Sequence, residues 1–188
     1  MKKNLLYIFF IIYSASFFPQ ELIWENLSAG IVINHLITQG DLKEYWNNTP
    51  EGGFLINYII DKNLSFEGSI SATYLKPKPG ENQSSTVLPD IFLVNMPAGL
   101  KFYFFPGDNF SFDLSGGITN TTFIFTGDAA ESLKENNIES EFGFFISAGL
   151  SCKMFSNINI ELCPAYQKIF STPNTNLYRI GIKIFFDL

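Results

Sequence analysis

The chain has 188 residues, long enough for one folded unit with a sizeable interior. It is 46% hydrophobic, with 21 Phe and 8 Tyr. Only 16% of it is charged, against roughly 25% in soluble domains, and the formal charge is −6. An acidic chain of this kind argues against nucleic-acid binding and against electrostatic docking on anionic lipid, and its aromatic content favours β structure.

Lys2 and Lys3 precede the apolar run LLYIFFIIY at 5–13, which is shorter than the ~20 residues of a spanning helix. Ser14, Ala15 and Ser16 then supply the small residues of a cleavage site, so 1–16 reads as a secretory signal peptide. Taking Lys2 and Lys3 from the 12 basic residues leaves 10 against 18 acidic ones, a mature charge of −8. Residues 17–27, with Trp24, form a short periplasmic or interfacial lead-in, and the folded domain is expected over 28–188.

From there the hydrophobic period is two, the period of a pleated strand with unlike faces. In SAGIVINHLIT (28–38), Ala29, Ile31, Ile33 and Ile37 oppose Ser28, Gly30, Asn34 and Thr38. In GFLINYII (53–60), Phe54, Ile56, Tyr58 and Ile60 share a face. LSFEGSISATY (64–74) is the cleanest, with Leu64, Phe66, Ile70 and Tyr74 against Ser65, Glu67, Ser69, Ser71 and Thr73. Over 91–105, Phe92, Val94, Met96, Leu100, Phe102 and Phe104 align. The polar side of that strand also carries Ile91 and Leu93, beside Asn95, Lys101 and Tyr103.

The pattern continues in FSFDLSGGIT (110–119), where Phe110, Phe112, Leu114 and Ile118 face away from Ser111, Asp113, Ser115 and Gly117. EFGFFISAGLSCKM (141–154) sets Phe142, Phe144, Ile146 and Leu150 against Glu141, Gly143, Ser147, Gly149 and Lys153. Residues 159–170 place Ile160, Leu162, Tyr166 and Phe170 opposite Glu161, Cys163 and Gln167, with Pro164 a blemish. The last strand, YRIGIKIFFDL (178–188), alternates Tyr178, Ile180, Ile182, Ile184, Phe186 and Leu188 with Arg179, Gly181 and Lys183.

These are eight strands, and their connections alternate in length. Tight turns at 61–63, 106–109 and 156–158 carry the Gly, Asp and Asn that turns require. Long polar stretches lie at 39–52, 76–90 and 126–140, and a shorter one at 171–176. This is the layout of an all-β, eight-stranded antiparallel up-and-down transmembrane β-barrel, with short turns at the periplasmic end and longer loops outside.

Alternation alone does not say which face points in. Turning Phe, Ile, Leu and Tyr inward on every strand would overfill an eight-stranded interior, whereas Ser and Gly fit it. The charges on the polar faces have both signs, and charges in a narrow interior persist only when paired. The expected lumen salt-bridge network is Glu67, Lys101, Asp113, Glu141, Lys153, Arg179 and Lys183, with Glu161 as a further carboxylate. Tyr58, Tyr74, Phe102, Phe110, Tyr166 and Phe170 then supply aromatic girdles in contact with outer-membrane lipid.

On this strand rhythm, loop alternation and final strand, residues 22–188 resemble the small outer-membrane β-barrel family, the type of the outer-membrane protein A transmembrane domain and outer-membrane protein X. The resemblance implies a bacterial outer-membrane location and a scaffold with functional loops. It also implies that Tyr178, Ile180, Ile182, Ile184, Phe186 and Leu188 form the signal read by the barrel-assembly machinery, with Leu188 standing where the family has Phe. Some barrels of this kind are lipid A acylases or deacylases that use a His with Ser and an acid. His35, the single histidine, is the candidate here, but nothing near it completes a motif.

No spacing of His and Cys suggests a metal, and no cofactor is expected. Cys152 and Cys163 flank the 156–158 turn, and a two-residue turn at Asn157-Ile158 would set them opposite one another. The hydrophobic phase favours pairing Met154 with Ile160 and Cys152 with Leu162 instead, which turns Cys163 into the lumen without a bridge. The leading expectation is a non-enzymatic outer-membrane barrel. Its loops at 39–52, 76–90 and 126–140 would serve surface interaction, adhesion or envelope integrity. The alternatives are a lipid A-modifying enzyme using His35 and a narrow channel for small solutes.

Overall fold

The computed structural model describes residues 26–78, 88–104, 109–127, 137–155, 157–171 and 175–188. The expected signal peptide and most of the lead-in lie outside the described residues. The strands are β1 (Leu27–Thr38), β2 (Thr49–Asp61), β3 (Leu64–Leu75), β4 (Asp90–Phe104), β5 (Phe110–Thr126), β6 (Ile138–Phe155), β7 (Ile158–Ile169) and β8 (Thr175–Asp187). Each pairs antiparallel with its chain neighbour, and β1 pairs with β8 through Ser28↔Asp187, Val32↔Lys183 and Leu36↔Arg179. The sheet is therefore a closed barrel in the order β1 to β8, with no free edge.

The period-two sequence produces two unlike surfaces. Phe54, Ile118, Phe142 and Ile146 stand exposed on the exterior, while Ser65, Lys101, Asp113, Thr119 and Glu161 are buried inside. Glycine inside the wall allows neighbouring strands to curve tightly. A Cβ on Gly117 would sit 2.2 Å from the Ala98 carbonyl oxygen, and one on Gly99 would sit 2.3 Å from that of Gly116.

Three details depart from the sequence expectation. First, β5 runs to Thr126 and β6 starts at Ile138, so both enter the segment expected as a loop. Pairs such as Phe123↔Glu139 and Ile124↔Ile138 keep the ladder going where β-branched and aromatic residues continue. Second, part of 39–52 is folded: α1 (Asp41–Tyr45) follows Gly40, whose φ is 62°, and Thr49 already belongs to β2.

Third, the register between β6 and β7 is Cys152↔Ile160, not Cys152↔Leu162. The strands pair up to Phe155↔Ile158, and a bulge between Lys153 and Phe155 absorbs the extra residue. The slip is an even number of residues, so the faces keep their phase. Cys163 is buried and Cys152 partly exposed, and both thiols are free.

Candidate functional site

The interior is organised in layers along the barrel axis. Nearest the short-turn end, Ser28 Oγ donates to Asp187 Oδ1 at 2.9 Å and Asn159 Nδ2 donates to Asp187 Oδ2 at 3.4 Å. A cavity of about 290 Å³ opens here among Asn57, Tyr103, Ser111, Ser151, Glu161 and Phe185. Its polar lining comes from every strand but β3.

Above it sits the main charge cluster. Lys101, only 1% exposed, pairs with Glu161, with Glu67 at 3.2 Å and with Asp113 at 3.8 Å. Lys183 reaches the same carboxylates, Glu67 at 2.7 Å and Glu161 at 2.9 Å. The Phe185 ring lies 5.0 Å from Lys101 Nζ and adds a cation–π contact. Three carboxylates thus surround two ammonium groups, and Asp113 is the one held at the greatest distance. Burial of this kind is tolerable only because every charge has an opposite partner within 4 Å.

A cavity of about 60 Å³, bordered by Ser69, Asn95, Cys163 and Gln167, separates this cluster from a second one. There Arg179 Nε donates to Glu51 Oε2 at 2.6 Å, and Ser71 Oγ donates to Glu51 Oε1 at 2.5 Å. Arg179 Nη1 also donates to Gln167 Oε1. Gln167 in turn donates to Asn95 Oδ1 at 3.0 Å, and Asn95 Oδ1 accepts from Thr119 at 2.9 Å and Thr121 at 3.0 Å. Asn34 Nδ2 of β1 donates to Glu51 Oε2 at 3.3 Å as well, so polar side chains of β1, β2, β3, β4, β5, β7 and β8 are tied across the lumen.

The long-loop end is closed by apolar packing. Leu36, Leu75, Ile91, Leu93, Phe123, Ile169 and Leu177 point inward as a buried cluster, and Leu42 of α1 enters it from above. Trp46 and Phe125 pack against the cluster, and Trp46 Nε1 donates to the Pro89 carbonyl at 3.1 Å. Ile91 and Leu93, the two residues that blemished the polar face of the fourth strand, are part of this plug.

Of the seven residues expected in the network, five meet: Glu67, Lys101, Asp113 and Lys183 in the lower cluster, and Arg179 in the upper. Glu161 joins the lower cluster, as fully buried as Asp113. Glu141 and Lys153 form none of these pairs. Glu141 stands opposite Thr121 in the prolonged outer part of β6, and Lys153 is exposed beside the bulge near the turn. The alternation of β6 is right for both residues, but Lys153 is exposed beside the turn and Glu141 stands next to Thr121, which is hydrogen-bonded to Asn95 and Gln167 rather than to a cation.

Sequence reasoning missed Glu51, which fell in the stretch assigned to a loop. Carrying the period of 53–60 back by two residues would have placed it inward with Gly53, Leu55 and Asn57. On β8, Tyr178, Ile180, Ile182 and Phe186 point outward while Arg179, Lys183 and Phe185 point inward, and Leu188 follows the strand with its side chain exposed. His35 also points outward, on β1 between Pro50 and Ile180, away from every lumen serine and carboxylate. The described residues include no group of three His, Cys, Asp or Glu arranged to hold a metal ion.

No family model and no curated protein matches the chain. Solved structures do. Neisserial surface protein A (NspA) superposes with a TM-score of 0.67 at 11% identity, covering 87% of this chain and 97% of that one. Outer membrane protein AlkL, determined in lipid bilayers, gives 0.56 at 13% identity, over 88% and 92% of the two chains. The outer membrane protein OprG from Pseudomonas aeruginosa gives 0.50 at 13% identity, over 86% and 95%. The fold of this chain is thus that of small eight-stranded outer-membrane β-barrels.

Proposed function

We propose that the chain, which shares the fold of the small outer-membrane barrels, is itself an outer-membrane protein and works as a non-enzymatic scaffold. Its lumen is sealed, and its outer loops meet extracellular partners in surface interaction, adhesion or envelope integrity. The observation that carries this reading is the pairing of an exposed apolar exterior with a charged, filled interior. Phe54 is 70% exposed and Ile118 67%, while Lys101, Asp113 and Glu161 are buried. Water would penalise that exterior, and a bilayer rewards it, because a closed barrel pairs its strands with one another and leaves no free edge.

The leader at 1–16 fits export, and the outward alternation of Tyr178, Ile180, Ile182, Ile184, Phe186 and Leu188 suits recognition by the barrel-assembly machinery. A conducting role is disfavoured by the plug around Leu36, Leu93 and Leu177 and by the two ion-pair clusters beneath it. A His35-dependent enzyme is disfavoured by the outward direction of that side chain. The channel of small solutes and the lipid A-modifying enzyme therefore rank behind the scaffold.

Membrane fractionation with a gel run on boiled and unboiled samples tests the placement. The chain should be in the outer-membrane fraction and migrate faster unboiled. A soluble chain without that shift would overturn the proposal. Planar-bilayer recording should stay silent, and stepwise currents would refute the sealed lumen.

A further inference from the structure

The exterior carries one feature that a uniform barrel wall would lack. Across β5, β6, β7 and β8 runs a groove of about 870 Å³. Its upper ridge consists of Ile37, Tyr178, Tyr166 and Ile146, consecutive cross-strand neighbours from β1 to β6. Its lower ridge is Ile180 and Pro164, paired across β8 and β7, and Ala148 and Leu114, paired across β6 and β5; Ala148 and Pro164 fall opposite each other by register without a ladder pair. Ala148 and Pro164 are small, so the lower ridge is cut down at its centre.

The wall is also interrupted at that point. Pairing of β6 with β7 skips from Ser147↔Ala165 to Leu150↔Leu162, and Pro164, inside the gap, has no N–H to offer β6. Proline in a closed sheet needs a local reason, since it removes a ladder bond. Here it leaves Ala148 without a ladder pair, as Pro97 of β4 leaves a like gap against β3 outside the groove; at Pro164 the gap lies within the groove floor.

The dimensions of the groove match one ligand class. Three to four strand spacings of ~4.8 Å give it a length of about 14–19 Å, near half of the ~30 Å hydrocarbon thickness of a bilayer. It starts close to Gln39 and Tyr178, at the long-loop end of the wall, and descends to Leu114, four residues above the start of β5. A polar amide and a tyrosine at the upper end suit the head-group level, and apolar residues below suit hydrocarbon.

We propose that this groove holds one acyl chain of an outer-leaflet lipid, seated over Ala148 and Pro164 with its head group near Gln39 and Tyr178. This rests on the reading of the chain as an outer-membrane barrel, which makes bilayer lipid the medium against this wall. The bound chain differs from ordinary surrounding lipid in residence. It is retained when the bulk lipid is replaced by detergent.

Native mass spectrometry of the full-length protein, extracted from membranes in mild detergent, counts the lipids retained per barrel. Wild type should carry one. Ala148→Phe fills the groove and should lower the retained fraction at least tenfold. Ala72→Phe, on the outward face of β3 and outside the groove, should leave it unchanged.

Equal retention in Ala148→Phe and wild type would overturn the site. So would a two-chain species abolished by Ala148→Phe, which would assign the groove to a second copy. Tyr178→Ala, which removes part of the upper ridge, gives the same comparison should Ala148→Phe not reach the folded barrel. The boiled-against-unboiled gel shift reports the barrel itself. Its absence in wild type would sink the membrane reading, whereas a normal shift with no retained lipid sinks only the groove.

Discussion

Removing Lys101 while keeping its size, as in Lys101→Met, isolates the charge cluster. The ammonium has Glu67 at 3.2 Å and Asp113 at 3.8 Å, and also pairs with Glu161. At an effective dielectric constant of about 20, each such contact is worth about 4–5 kcal/mol before desolvation is subtracted. Desolvation of a fully buried ion cancels much of that sum, and breaking a buried pair costs about 3–5 kcal/mol net. In Lys101→Met, three carboxylates are left with Lys183 as their single ammonium, so the loss should fall in that range, a factor of roughly 10² to 10³·⁵ in the folding equilibrium. Urea titration of the barrel in detergent, with the gel shift reporting the folded fraction, measures it. The double variant Lys101→Met/Glu161→Gln removes one charge of each sign and should recover about half the loss, since buried pairs deleted together cost less than a partner deleted alone. A loss below about 1 kcal/mol for the single variant, or a double variant less stable than the single, would show that these charges are not coupled as argued.

Two further outcomes follow from other layers. Glu51→Gln takes the charged partner from Arg179 and should cost about 3 kcal/mol in the same titration, by the penalty for leaving a buried guanidinium without its carboxylate. An effect within ±0.5 kcal/mol, the range of ordinary surface changes, would refute the upper cluster. Gly117→Ala places a Cβ 2.2 Å from the Ala98 carbonyl oxygen and should cost about 3 kcal/mol or more, whereas Gly52→Ala, with nothing within 4 Å of its Cβ, should fold like wild type. Equal folded yields of the two alanine variants would contradict the close strand approach.

The wall of the barrel was legible because its signal is local. Each strand states its two faces within five to eight residues, so Phe66 against Glu67 or Ile182 against Lys183 needs no partner to be read. The interior was legible only by face, not by height. Glu67, Lys101 and Lys183 meet because the registers Ser65↔Lys101 and Glu161↔Lys183 bring them level, and a register is a property of two strands. Glu141 and Lys153 share the inward phase of their strand, yet Glu141 sits opposite Thr121 in the outer part of the β5–β6 ladder and Lys153 beside the turn, and neither forms a pair of either cluster. The bulge beside Lys153 and the prolonged β5–β6 ladder set those heights, and neither leaves a mark in the period. Glu51 and the plug were hidden differently. An acid next to a loop reads as solvated, and inward Ile91 and Leu93 read as noise in a face expected to be polar.

That noise bears on where function can reside. A lumen lined throughout by polar groups would stay open to water and to small solutes. This one changes character with height, from three acids around two lysines to an apolar plug that Leu42 of α1 completes from outside. An ion entering from the loop end would have to shed its water against leucine and isoleucine, which costs several kcal/mol with no polar group in return. One entering from the other end meets charges that already neutralise one another to within a single carboxylate. On the proposed reading of a sealed lumen, the chain's contacts with other molecules fall to its two remaining surfaces: the rim above the plug, where Trp46 anchors α1 to Pro89, and the outer wall. The rim supplies polar connections. The wall supplies the groove at Ala148 and Pro164.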